Sequence, residues 1–289
     1  LLGFIANHTG RLHLALEQFE ALLAEEDRGE PPELLLQTYS GPPWPVELAY
    51  LSILNLGQGR EALSREQRDQ AISGAREHGG GNLVAHVLVL MSARARHAEE
   101  PEEALTLATE VGRLSREERL SNPRLVGRSC VTWARARLGR AASVDRMFRL
   151  AEHEGGNAAV FAQSAYLVPA LGAQGRLRAD VARIHDLCHG PDQHYVSTNA
   201  RPLIGLQLGV SLAAQGRLES ALAALENARD QARDNGNPLQ LARIAFHLAE
   251  LQERLDRPED ADTTRRTIAA ELPADADAGP IVSLQRYGA

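Results

Sequence analysis

LIGLQLGVSLAAQGRLESALAALENARDQARD, residues 203–234, decides the fold. Its first half is apolar from Leu203 through Leu208-Gly209 to Leu212, and it breaks at Gly216. After the break, Leu218, Ala221, Leu225 and Ala228 follow at steps of three and four, the spacing that lines one face of an α-helix. The reading is two amphipathic helices joined by a tight glycine turn. Small residues stand where the two backbones come closest. The next stretch repeats the layout, with Leu248-Ala249, a break at Asp256-Arg257-Pro258, then Ala261 and Ile268. Gly209 and Ala249 lie forty residues apart. A helical hairpin recurring at a fixed period fixes the architecture before any single residue is considered.

Outward from that stretch the pattern extends to both ends. Gly3 and Gly10 are seven apart, as Gly209 and Gly216 are, and Leu12, Ala15, Phe19 and Leu22 match Leu218, Ala221, Leu225 and Ala228. Using Gly10, Gly57, Glu99, Gly139, Gly175, Gly216 and Asp256 as turn markers, the spacings are 47, 42, 40, 36, 41 and 40. The expected fold is all-α: a right-handed α-solenoid of about seven helical hairpins spanning residues 1–271. The hairpins fall near 1–26, 46–78, 83–113, 123–152, 157–188, 202–234 and 238–270. Residues 272–289, rich in Ala, Asp and Gly, read as a C-terminal tail that leaves the array. Pro101 and Pro258 stand at helix starts, whereas Pro169 falls inside a helix and predicts a kink.

Composition narrows the function classes. Only 4% of the residues are aromatic, so the core is built from Leu, Ala and Val. A net charge of −7 with mixed signs argues against direct nucleic-acid binding, which shows a basic stripe. All 31 basic residues are arginine, which removes a P-loop lysine, a Schiff-base lysine and a lysine general base. The two cysteines, Cys130 and Cys188, belong to different repeats and make no disulfide framework, as expected of a reducing, cytoplasmic setting. No apolar run reaches the roughly 20 residues of a membrane span. The chain opens on Leu1 already inside a repeat, which reads as a segment of a larger protein.

The Leu208-Gly209, Gly216, Ala221 and Ala228 set, matched again by Gly3, Gly10, Ala15 and Phe19, resembles the tetratricopeptide repeat in a lengthened version. Within that superfamily, Tyr39-Ser-Gly-Pro-Pro-Trp-Pro, Leu48-Ala-Tyr-Leu51 and Leu56-Gly57 to Ala62-Leu63 are similar to a motif of large bacterial signalling proteins. In those, a helical array follows a STAND-type ATPase module, with a cyclase or DNA-binding domain at the N-terminal end. The resemblance implies a sensing or partner-binding role and brings no catalytic residue.

Arrays of this type bind on the concave face, lined by the first helix of each hairpin. Alignment on the turn residues places Trp44, Glu47, Leu51, His86, Arg96, Trp133, Arg137, Arg243, Phe246 and Glu250 there. Trp and Arg dominate interface energetics, so the groove residues to test are Trp44, His86, Arg96, Trp133, Arg137, Arg243, Phe246 and Glu250. The plainer reading of Trp133 and Phe246 is packing between helices. Residues 113–149 hold ten arginines, suited to an acidic peptide or phosphate, but interspersed glutamates make an ordinary solvated face the simpler account.

His185, Cys188 and His189, with His194 nearby, have metal-like spacing on one helix, yet no second ligand pair follows. Cys130 has no activating neighbour in sequence, and no GxSxG, GxGxxG or HExxH occurs. The segment is therefore expected to be no enzyme and to hold no metal or cofactor. The function expected is a protein- or ligand-binding sensor or scaffold module of a multidomain bacterial signalling or transcriptional regulator. It would take a protein, peptide or small ligand on the concave face, without nucleic-acid or membrane binding. A free-standing repeat adaptor is the alternative, and an all-helical metal-dependent enzyme the remotest.

Overall fold

The computed structural model describes residues 9–26, 41–140 and 201–288. Among these there are eleven helices and no strand. They are α1 (Leu12–Glu26), α2 (Trp44–Gly57), α3 (Glu61–His78), α4 (Gly81–His97), α5 (Pro101–Glu117), α6 (Ser121–Arg137), α7 (Arg201–Ala214), α8 (Leu218–Asp234), α9 (Pro238–Arg254), α10 (Pro258–Glu271) and α11 (Gly279–Gly288). The protein is an all-helical solenoid of tetratricopeptide-like hairpins, α2–α3, α4–α5, α7–α8 and α9–α10 each packing as a pair. The expected second helix of the 123–152 hairpin, the 157–188 hairpin and Pro169 lie outside the described residues.

One turn design closes the hairpins. Glu99, Gly139, Gly216 and Asp256 have left-handed φ of 61°, 66°, 78° and 60°. The residue after each donates its N–H five positions back, as Glu100 does to Ala95, Arg217 to Leu212 and Arg257 to Gln252. This is the six-to-one bond of the Schellman ending, which satisfies carbonyls that a helix end would otherwise leave unpaired. Pro101, Pro238 and Pro258 then open the next helix at a position whose N–H has no helical partner anyway. In the second hairpin the left-handed residue is Gly59, at 83°, two positions beyond the expected marker Gly57. Gly57 is still helical and packs beside Asn237.

Small residues sit where the periodicity predicts. A Cβ on Gly209 would approach Leu225 Cγ to 2.5 Å, and one on Gly205 would lie 2.9 Å from Ala228 Cβ. Ala221 and Ala228 are fully buried, and Leu225 fills the space over Gly209, so α7 and α8 pack closely. Successive second helices are joined by arginine–glutamate pairs about one repeat apart. Arg65–Glu100 and Arg68–Glu103 at 2.7 Å and Arg76–Glu110 at 2.8 Å tie α3 to α5. Arg233–Glu271 at 2.7 Å and Arg257–Glu219 at 3.1 Å tie α8 to α10. Beneath the first set, Arg94 is completely buried on α4, donating to Ser64 at 3.1 Å and pairing with Glu100.

The C-terminal stretch departs from the expected tail. Ile281 and Leu284 are fully buried, and α11 packs against α10 and α9. Asp277 and Ala278 donate their backbone N–H groups to the Gly59 carbonyl at 2.9 and 3.0 Å, and Asp277 accepts the N–H groups of Glu61 and Ala62. Arg60 pairs with Asp275 at 3.2 Å, and Gln58 donates to the Gly236 carbonyl at 2.8 Å. Leu56 of α2 belongs to the same apolar core as α7–α11. The last hairpins therefore return to the second one, and two walls of first helices face each other.

Candidate functional site

The facing walls enclose a cavity of about 70 Å³. One wall is the C-terminal end of α4 (Arg96, His97 and the turn residue Glu99) with Trp133 and Arg137 of α6. The other is α7 (Pro202, Leu203, Leu206, Gln207) with Gln240, Arg243 and Ile244 of α9. α4, α7 and α9 are first helices of described hairpins, and α6 stands where the sequence expects another. Arg96, Trp133, Arg137 and Arg243, singled out from the sequence, all line it.

Trp133 is 2% exposed; its ring is at once a packing element and part of the cavity wall. Arg243 donates Nη1 to the carbonyl of His97 at 2.7 Å, bridging the two walls. Burial lowers the Arg243 pKa below its ordinary value, against the opposing pull of Glu99 and Glu61. Arg137 stands 3.6 Å from Glu99, and Arg96 reaches the Cys130 sulfur at 3.8 Å. Burial, reinforced by the charges of Arg96 and Arg243, pushes His97 down to about 3, so its ring is neutral at neutral pH. Among the described lining residues, three carry a guanidinium and one, Glu99, a carboxylate.

Four of the expected groove residues, Trp44, His86, Phe246 and Glu250, do not line this cavity. Trp44 lies over Gly74, in the space a Cβ there would occupy, and edge-on to His78 at a centroid distance of 5.9 Å. It wedges α2 against α3. His86 keeps Nδ1 on the Asn82 carbonyl at 3.1 Å. Phe246 is exposed, and Glu250 is an exposed residue near His247. Of the wider face, Leu51 is buried in the α1–α2 core with Leu12, Ala15 and Phe19, and Glu47 is buried as well.

His97, Glu99, Gln207 and Gln240 also line the cavity, and the sequence pattern does not single them out for it. One signal was on view: Ala93-Arg-Ala-Arg96 recurs as Ala134-Arg-Ala-Arg137, both ending a first helix. The left-handed residue comes three positions after Arg96 and two after Arg137, so the two arginines enter the cavity from different helical positions.

The possible metal cluster of His185, Cys188, His189 and His194 lies outside the described residues. Among the described residues no group of three or more His, Cys, Asp or Glu is placed to hold an ion, and no helix is long and apolar enough to cross a membrane. Cys130 is fully buried.

Compared with protein-family models and with curated proteins, the sequence matches none. Among solved structures, the chain is similar to a Rap protein crystallised in complex with Competence and Sporulation Factor. The TM-score is 0.53 at 10% identity, over 99% of this chain and 94% of that one. At that identity the likeness is one of fold.

Proposed function

We propose that this chain is a protein- or peptide-binding module whose ligand lies in the inner groove, across the cavity between α4–α6 and α7–α9. The observation that carries this is the convergence of Trp133, Arg96, Arg137 and Arg243 on one cavity, from the three helices α4, α6 and α9, which are far apart in the sequence. Aromatic and arginine side chains, gathered at the centre of a concave surface, are the residue types that supply most binding energy at interfaces. The cavity itself is too small for a drug-sized ligand, which needs roughly 300–1,000 Å³, so it is an anchor point within a longer groove. The Rap protein of similar fold, crystallised with a bound factor, is consistent with such use. The resemblance to arrays of multidomain signalling regulators makes a sensor segment within such a regulator the proposed context.

Peptides selected on the wild-type protein from a displayed random library test the reading. Gln207 is half-buried on the cavity wall, so Gln207→Trp fills the space. It is expected to weaken every selected peptide by at least about tenfold. Arg254→Ala, whose side chain reaches the Ala213 carbonyl on an exposed surface, is expected to leave them bound. Peptides that bind Gln207→Trp as well as the wild type, or a selection that returns none, would overturn the groove.

A further inference from the structure

The junction that closes the array also controls entry to it. This step rests on the groove reading above: we infer that residues 273–281 form a clasp on the α2–α3 turn, and that the α2–α6 and α7–α11 blocks part there to admit a ligand. The closed array is the shut form. Its cavity of about 70 Å³ is too small for a peptide segment, and Arg243 of α9 joins the walls through the His97 carbonyl of α4. A ligand that fits only the open form binds in proportion to the fraction of molecules that are open. By reciprocity, it loosens the clasp by the same factor as the clasp weakens its binding.

The clasp joins turns, not interlocked helix faces. The Gly59 carbonyl takes the N–H groups of Asp277 and Ala278, and the Asp277 carboxylate takes those of Glu61 and Ala62. Gly59 must be bare for this approach, since a Cβ there would come within 2.3 Å of Ile281 Cδ1 and 3.0 Å of Ala276 Cβ. Gln58 adds its bond to the Gly236 carbonyl, and Arg60 its pair with Asp275. The Arg60 and Asp275 side chains are 40% and 63% exposed, and the Asp277 carboxylate bonds are exposed too. Water replaces such bonds at little net cost, which places the junction at the low end of local stability. Within the blocks the contacts are of another kind: α7, α8 and α9 share a core of fully buried Leu, Ile and Ala. Ile281 and Leu284 belong to that core, so α11 moves with α9 and α10 when the blocks part. Leu56 of α2 also belongs to it and is withdrawn on opening, a cost that keeps the shut form favoured without ligand.

Amide hydrogen exchange on the full chain, followed by NMR, reads the clasp without any ligand. Glu61 and Ala62 open α3, where an N–H has no partner within its own helix, so their protection reports Asp277. Glu61, Ala62, Asp277 and Ala278 should exchange through one common opening, faster than Arg217, whose N–H is held within its hairpin. Val282, bonded to the Ala278 carbonyl within α11, should stay protected. Asp277→Ala should speed exchange at Ala278 about five- to thirtyfold. It should tighten a peptide selected on the wild type by the same factor. Gln58→Ala, which leaves the Asp277 bonds in place, should do both about two- to tenfold and serves where Asp277→Ala fails to fold. A saturating selected peptide should strip the protection from Glu61 and Ala62. Clasp amides exchanging no faster than Arg217 would overturn the opening, and Val282 exchanging along with them would show that α11 frays alone. Peptides that bind the variants no more tightly, or that raise the protection of Glu61 and Ala62, would overturn the gating. A selection that returns no peptide removes the groove and its gating together, whereas the ligand-free exchange still decides whether the clasp opens.

Discussion

The carboxylate of Asp277 accepts the backbone N–H of Ala62 at 2.9 Å, and that of Glu61 beside it, so the start of α3 is capped from 215 residues away. Arg60, the local N-cap residue, makes no side-chain cap bond. The same Asp277 anchors the returning segment through its own N–H to the Gly59 carbonyl. Closure of the array and capping of α3 are therefore one interaction. Asp277→Ala is expected to destabilise the protein by about 1–2 kcal/mol, the upper part of the range for losing a helix cap. Asp277→Asn, which retains an acceptor, should cost less. Urea unfolding of the three proteins measures this, and equal midpoints for Asp277→Ala and wild type would exclude the cap as a contributor.

The arginine–glutamate ladder separates buried from exposed pairs within one network. Arg94 has no solvent exposure, and burial lowers its pKa while Glu100 and Glu103 oppose that shift. Arg65, with a half-exposed side chain, shares Glu100 with it. Arg94→Ala leaves Ser64 without its arginine donor and Glu100 without its buried partner, and should cost about 3–5 kcal/mol. Arg65→Ala should cost less than about 1 kcal/mol. Similar losses from the two substitutions would show that burial does not set the strength of the ladder.

Turn residues offer a test of backbone strain free of packing. A Cβ on Gly216 would meet nothing within 4 Å, so Gly216→Ala charges only the left-handed φ of 78°, about 1 kcal/mol. Asp256 occupies the equivalent position with φ 60°. Asp256→Gly should relieve part of that strain and raise the melting temperature slightly. Thermal unfolding of both variants decides, and a stabilised Gly216→Ala would contradict the account.

How much of this was legible depended on whether the cause was local. Gly209, Ala221 and Ala228 were readable because helix packing writes itself into steps of three and four. The Gly57 marker was two residues early, since a glycine two positions before Gly59 can remain helical and only φ distinguishes them. Pro273-Ala-Asp-Ala-Asp277-Ala-Gly279 looked like a tail because a cap supplied to α3 leaves no periodic signal in its own neighbourhood. The cavity was half-legible for a related reason. Arg96, Trp133 and Arg137 follow from the face of neighbouring first helices. Arg243 lies early in α9, thirteen residues before its turn residue Asp256, the register that His86 holds before Glu99. It meets the end of α4 only because the array returns on itself, so His86 and Arg243 share a register without sharing the site.

His97 makes the cavity a source of acid sensitivity. In the unfolded chain its imidazole titrates near 6.5, whereas in the folded protein burial and the neighbouring Arg96 and Arg243 hold it to about 3. Between those values the unfolded chain takes up a proton that the folded protein does not. The associated stability is therefore full above the unfolded value and declines as the pH falls, by up to about 1.4 kcal/mol per pH unit. His97→Gln removes the titrating ring and keeps the backbone carbonyl that receives Arg243. On moving from about pH 7 to about pH 5, the wild type should lose more stability than the variant, by at most about 2 kcal/mol. Urea midpoints of both proteins at the two pH values provide the double difference, in which all other titrating groups cancel. Parallel losses in the two proteins would mean that His97 is charged, or hydrated, in the folded state, and the cavity would then carry a fourth positive group instead of a neutral wall.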